Sequence, residues 1–322
     1  MILHVSRRLV ATIPILAVAL TTLFILLQMA PGDPFAPEPG PNVNRDAGAL
    51  RKALGADRPV GSRYLRWAAG LLSGDLGFSW SMRRPVVDLI GEAARNTALL
   101  MGTALFAQFG LGIAVGLVAA SLHGRWLDRV VGACATTLYS VPSYWLGLIL
   151  TVLFSVRLGW LPVSQMHSAG AADMPSTWRA WDAARHLVLP CVSLTLPVAA
   201  GIALLVRETV SDALTRAYVR TARARGVSRR RVVVCHALRN ALLPVAGLLG
   251  LALPALVGGS IVVEVLFAWP GMGRLAYQSA LARDEPLVLG CAAVTAVLVV
   301  IGGLAADLAA AALDPRIKES VV

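Results

Sequence analysis

Six stretches of the chain are apolar on every side, without the alternation that marks a half-buried helix or strand. They cover about 9–30, 98–122, 130–156, 187–206, 241–263 and 286–313, and Asp307 is the only charged residue within them. Each supplies the ~20 residues a helix needs to cross a hydrocarbon core of about 30 Å. A helix that is hydrophobic all round is either deeply buried or spans a membrane, and six in one chain predict the second. The expected fold is all-α and integral to a membrane, a single transmembrane domain over residues 1–322. An even number of spans puts both termini on one side. The first stretch follows Arg7 and Arg8 as a secretory leader would. It exceeds the apolar core of about 7–15 residues of such a leader, and no small-residue cleavage site follows it, so it is read as a retained span.

Pro14, Pro142, Pro190, Pro197, Pro244 and Pro254 fall inside four of these spans. Each removes a backbone donor and kinks its helix, which suits a protein that opens and closes. Gly110, Gly112, Gly116 and Gly258-Gly259 allow two helix backbones to approach closely. Two polar connections are long. The outer loop, 31–97, opens on Pro31-Gly-Asp-Pro34, carries helical stretches at 47–55 and 62–72, and turns at Gly74-Asp-Leu-Gly77. It is too long for a plain connector and predicts a small helical cap, either packed on the bundle or facing a partner.

The second connection, 207–240, carries nine arginines against Glu208 and Asp212. Ser211 is placed to cap a helix reaching Arg225. On it Leu214, Ala217, Tyr218 and Thr221 share one face at i, i+3, i+4 and i+7, with Ala222 at the border of that ridge. Arg216, Arg220 and Arg223 take the opposite face. Gly226 stands where a left-handed residue ends a helix, and Ser228 can cap a second helix running through His236. A helix, a glycine turn and a second helix make a compact knob. It reads as a docking element, a positive anchor, or a helix lying among headgroups.

Composition fits the membrane class: 57% of residues are hydrophobic and 15% charged, with mean hydropathy +0.70, where a soluble domain carries about 25% charge. Of the 29 Lys and Arg residues, 15 lie in 1–8, 123–129, 207–240 and 314–322. Nine of the others lie in the long outer loop, and loops beyond about 60 residues count little toward orientation. The short loops therefore place the N and C termini and 207–240 on the cytoplasmic side. The net charge of +11 is explained by the membrane, so no nucleic-acid partner is invoked. Cys134, Cys191, Cys235 and Cys291 are not spaced for a metal or a local disulfide and read as small packing residues.

No phosphate loop is present, because neither Lys52 nor Lys318 follows a glycine, and the metalloprotease and serine-hydrolase signatures are absent too. The chain is not expected to be an enzyme: no catalytic residue, no metal ligand and no cofactor-binding residue is assigned. Glu264 and Asp307 lie near span ends, where they read as structural groups. An ion-coupled carrier would place charge near the middle of the membrane, which leaves that class as the alternative.

Several local motifs, read in order, resemble the permease subunits of ATP-binding-cassette importers for dipeptides, oligopeptides and nickel. They are Arg7-Arg8, Pro31-Gly-Asp-Pro34, Gly74-Asp-Leu-Gly-Phe-Ser79, Ser140-Val-Pro142, Trp160-Leu-Pro-Val163, Tyr218–Gly226, His236-Ala-Leu-Arg-Asn-Ala241, Phe267-Ala-Trp-Pro-Gly271 and Asp314-Pro-Arg-Ile317. The resemblance implies an importer permease of the first type, and a coupling helix that seats in an ATPase subunit. It assigns that contact to Leu214, Ala217, Tyr218, Thr221, Ala222, Arg225, Gly226, His236, Arg239 and Asn240. Arg220-Thr221-Ala222 stands where the general importer pattern has Glu-Ala-Ala, so a glutamate-specific contact is not carried over. The implied partners are a homologous second permease, two ATPase subunits that bind ATP and magnesium, an extracytoplasmic substrate-binding protein and the inner-membrane bilayer. Peptides are the expected cargo, with nickel or a metal chelate the alternative.

Overall fold

The computed structural model describes residues 2–29, 57–228, 231–238 and 260–313, with single positions between 242 and 252. Among the described residues the chain is helical, and the only pairing of strand type is an isolated bridge between Phe78 and Pro85. Four helices are long and apolar enough to cross a membrane, or five if one bent pair counts as a single span. The run at 241–263 and the loop stretch 47–55 lie largely or wholly outside the described residues.

Helix α1 (Ile2–Met29) is followed by α2 (Val60–Ser73). Helix α2 is tied to α1 by aromatic packing: Tyr64 and Trp67 lie against Phe24, with ring centroids 5.3 and 5.8 Å away. The Tyr64 hydroxyl shares a 2.8 Å hydrogen bond with Thr21, and Arg63 bonds Gln28 and pairs with Glu285. This part of the outer loop is therefore packed on the bundle.

Helix α3 (Val86–Ser121) starts directly after Pro85, well before the apolar run at 98. Its first turns carry Asp88, Glu92 and Arg95, which is why the sequence assigns them to the loop. The opposite face of those turns holds Val86, Leu89, Ile90 and Ala93, buried against Met272, Leu275, Leu287 and Cys291. Packing, not local polarity, sets this helix start.

The run at 130–156 is not one straight helix. It forms α4 (Trp126–Ser140) and α5 (Ser143–Leu150), the latter extended by π-helical turns over Thr151–Arg157, and the two halves meet at 102°. Val141 is extended at the break, as a residue before proline prefers, and Pro142 has no N–H to carry the ladder on.

Helix α6 (Ser176–Thr215) is 40 residues long and contains Pro190 and Pro197. Its buried stripe runs through Ile202, Val206, Val210 and Ala213. That stripe carries the helix straight past Ser211, so Ser211 caps nothing; its hydroxyl lies 3.4 Å from His123 Nδ1 instead. The end of the bundle near residues 207–238 is called the knob end here. At the opposite end lie α8 (Ile261–Leu266), α9 (Met272–Leu281) and the start of α10 (Glu285–Leu313).

The most extensive interhelical contact joins α3 to α6. A Cβ on Gly112 would stand 2.7 Å from Ile202 Cβ, and one on Gly116 would stand 2.6 Å from the Ala203 carbonyl oxygen. Gly110 faces open space, with nothing within 4 Å of its notional Cβ. Between the two prolines of α6, buried Gln108 donates to the Leu194 carbonyl at 3.0 Å, so the proline-interrupted stretch keeps a polar tie to α3. Gly116→Leu should cost about 1–3 kcal/mol by overpacking, while Gly110→Leu should stay within about 0.5 kcal/mol of the parent. Thermal unfolding in detergent checks this, and equal losses at both sites would contradict the packing described.

Candidate docking site at the end of α6

Helix α6 ends because Arg216 turns extended, with φ −73° and ψ 152°. Its carbonyl then accepts the N–H groups of Val219 and Arg220 at 3.1 and 3.3 Å, starting α7 (Ala217–Ala224) in a new direction. Gly226 ends α7 at φ +80°, in the left-handed region, and the Val227 N–H reaches back to the Ala222 carbonyl at 3.2 Å. That six-to-one bond with an apolar contact across it is the Schellman arrangement, which places glycine just past the helix end. The Val232 N–H bonds the Ser228 carbonyl at 3.0 Å as the chain enters a π-helical stretch over Val232–Ala237.

The knob has its own small core. Val219, Ala222 and Val232 are buried together, with Leu214 and Val227 packed against them. A second cluster continues it into the bundle, joining Val206, Val210 and Ala213 of α6 to Val233 and Val245. Leu214 and Ala222 thus face inward, which corrects their placement on an outward ridge. The misreading has one cause: a helix assumed continuous from Ser211 puts Leu214 in phase with Ala217, whereas the break at Arg216 resets the phase. Ala217, Tyr218, Thr221 and Arg225 remain exposed on one side of α7, the Tyr218 ring 38% so. Arg216 and Arg220 are exposed as well, so the accessible surface is a small mixed patch ringed by guanidinium groups. Of the other assigned residues, His236 is described by its backbone only, and Arg239 and Asn240 lie outside the described residues.

A feature the sequence did not single out anchors this patch. Asp128, 2% exposed, accepts from Arg207 Nε at 2.5 Å and from its terminal nitrogen at 3.0 Å. It also accepts the Gly124 N–H at 3.1 Å, and His123 Nδ1 lies 3.6 Å away. This bidentate, charge-assisted arrangement joins the α3–α4 turn to α6 just before the knob. A lone acid within a short basic loop, matched to the first arginine after a span, was the available signal.

At the opposite end two buried carboxylates explain several motifs. Glu264 accepts from the Thr97 hydroxyl at 2.8 Å and from the Arg274 N–H at 3.0 Å. The Thr97 hydroxyl oxygen in turn accepts the Met272 N–H at 2.8 Å. Trp269, fully buried, donates its indole N–H to the Asn96 carbonyl at 2.9 Å. The Phe267–Gly271 motif is thereby clamped to α3 at Asn96 and Thr97. Asp284 accepts from the hydroxyls of Ser79 and Ser81 at 2.6 and 2.7 Å and from the Leu287 N–H at 3.2 Å, so the serine of the Gly74–Ser79 motif secures the start of α10. In the Trp160–Val163 motif, the Trp160 carbonyl accepts from Arg185 at 2.7 Å. These groups satisfy one another as buried polar groups must. Among the described residues no group of three or more His, Cys, Asp or Glu side chains is arranged to hold a metal ion.

With this geometry in hand, the chain can be compared with known proteins. The family model of the binding-protein-dependent transport system inner membrane component matches residues 112–319. The chain is 35% identical over 317 residues to the oligopeptide transport system permease protein AppB of Bacillus subtilis (strain 168), covering 98% of this chain and 99% of that one. It is 36% identical over 319 residues to the glutathione transport system permease protein GsiC of Escherichia coli (strain K12), covering 99% of both. Among solved structures, a chain from the inward-facing MetNI methionine ABC transporter superposes with a TM-score of 0.53 at 20% identity, over 71% of this chain and 97% of that one. That likeness supports the shared helical fold.

Because Ala222 is part of the knob's own core, Ala222→Glu should loosen the knob in the isolated subunit, before any partner binds. A neutral polar group buried there without a partner costs on the order of 2–7 kcal/mol, and an ionised carboxylate more. Hydrogen exchange over residues 217–238 in detergent should accelerate in the variant and stay at the parent rate in Thr221→Glu; equal rates in all three would refute the inward placement of Ala222.

Proposed function

The chain belongs to the family of binding-protein-dependent transport system inner membrane components, and we propose that it is the permease subunit of an ATP-driven importer of short peptides. Membership makes it a multi-pass protein of the inner membrane that works with a substrate-binding protein and an ATPase. What supports the cargo class is the near full-length similarity to permease proteins named for oligopeptides and for glutathione, itself a tripeptide. In this reading one subunit lines half of the path, a homologous permease lines the other half, and two ATPase subunits bind the ATP and magnesium. The arginine-rich knob and both termini are cytoplasmic, in line with the positive-inside rule.

The knob is the element that receives the ATPase. Its internal core makes α7 rigid against α6, and the side turned outward offers Ala217, Tyr218, Thr221 and Arg225 to a groove. His236, within the second helical stretch, and Arg239 and Asn240, which come after it in sequence, complete the proposed contact. The surrounding Arg216 and Arg220 favour a groove of negative potential, which speeds and orients docking. No chemistry is asked of this chain; a partner's movement is passed into α6 through packed side chains.

Gly226 tests the docking assignment. A β-branched residue in the left-handed region is strained by about 1–2 kcal/mol, so Gly226→Val should displace Val227 and the following turn. Recovery of the ATPase subunits on purified permease should fall severalfold, with the amount of permease in the membrane unchanged. Full recovery together with full substrate-stimulated ATP hydrolysis would remove the knob from the coupling path. For the cargo, uptake of a labelled dipeptide with the cognate binding protein should be competed by unlabelled di- and tripeptides and not by nickel ion; competition by nickel alone would overturn the peptide assignment.

A further inference from the structure

We propose that Asp128 and Arg207 form a positioning pair that carries the knob's displacement into the bent span α4–α5. The proposal rests on the reading of the knob as the ATPase contact, and it adds the route by which that contact reaches the transport path. Helix α6 is joined to the knob by the buried cluster of Val206, Val210, Ala213 and Val233, so the two move together. Helix α3 is joined to α6 by the glycine contacts at Gly112 and Gly116. Helix α4 also runs along α6, but the residues it buries fully are few, Asp128 and Ala135.

At mid-height α4 touches α6 where the Tyr139 ring lies over Gly201, 2.9 Å from its notional Cβ. At the knob end its tie is Asp128, which takes two bonds from Arg207 and one from the Gly124 N–H. Arg207 sits at the start of the last turns of α6, whose final residue, Thr215, precedes α7 by a single residue. A shift of α7 therefore pulls Arg207, Arg207 pulls the start of α4, and α4 pivots about the 102° break at Val141–Pro142. A carboxylate held by two nitrogens of a planar guanidinium fixes orientation as well as distance, which a single apolar contact would not.

The experiment uses the full transporter, reconstituted in liposomes with its ATPases and binding protein and carrying Asp128→Asn, Arg207→Gln, the double substitution, or Arg207→Lys. ATP hydrolysed and labelled peptide transported are measured in the same vesicles. Asp128→Asn and Arg207→Gln should each assemble with the ATPases yet raise the ATP consumed per peptide by about fivefold or more, the size of a typical coupling between sites. The double variant should be no worse than either single one, because both remove the same link. Arg207→Lys keeps the charge, loses the planar fork and should fall between. An ATP-to-peptide ratio equal to the parent in the singles, with or without a lower amount of protein, would show a merely structural pair and overturn the proposal. Should the singles fail to assemble, Arg207→Lys decides the matter: a parental ratio refutes the proposal and a raised one supports it. Failure of the knob reading itself is separable, since Gly226→Val would then bind and couple normally.

Discussion

Where α3 crosses α6, two glycines bring the backbones so close that no side chain can stand between them. In a bilayer the apolar surface of a helix gains little by turning from lipid to a neighbour, so close packing and interhelical hydrogen bonds must hold the bundle. Gly112, Gly116 and the Gln108 bond to the Leu194 carbonyl supply both. The long helix α6 needs this support, because Pro190 and Pro197 each interrupt its own ladder. With α3 alongside, α6 is braced from its proline-interrupted stretch toward the knob.

The two ends of the bundle are finished by different chemistry. At the far end, charges are buried and engaged: Glu264 ties α3 at Thr97 to the start of α9, and Asp284 ties Ser79 and Ser81 to the start of α10. At the knob end the core is small and apolar, and apart from buried Asp128 with its Arg207 partner the charge is turned outward. That division suits an importer subunit in which one end forms a stable frame and the other meets a partner that must bind and move.

Much of this was legible in the sequence, and the limits were physical. Uniform apolar runs located the helices now seen as α1, α3, α6 and α10, because their lengths match a bilayer rather than a soluble core. Their true ends were hidden: Val86–Thr97 looks like loop by its charges and is helix by its buried face. The run at 130–156 concealed a bend that Pro142 hinted at without fixing its angle. Within the knob, Gly226 was readable because only a left-handed residue suits that position, whereas Leu214 and Ala222 were misplaced because nothing local announces the break at Arg216. The pairing of Asp128 with Arg207 joins residues far apart in the chain, which composition and periodicity do not report.

In the proposed function α7 presents one face to the ATPase and keeps the other for its own core. Tyr218 and Val219 are neighbours in sequence on opposite sides of that division, 38% and 0% exposed. Cysteine placed at each in turn, in the assembled transporter, and treated with a short thiol-to-amine crosslinker separates the two faces directly. The account predicts a permease–ATPase adduct from position 218 that depends on the ATPase being bound, and none from position 219. An adduct from 219 with none from 218 would contradict it.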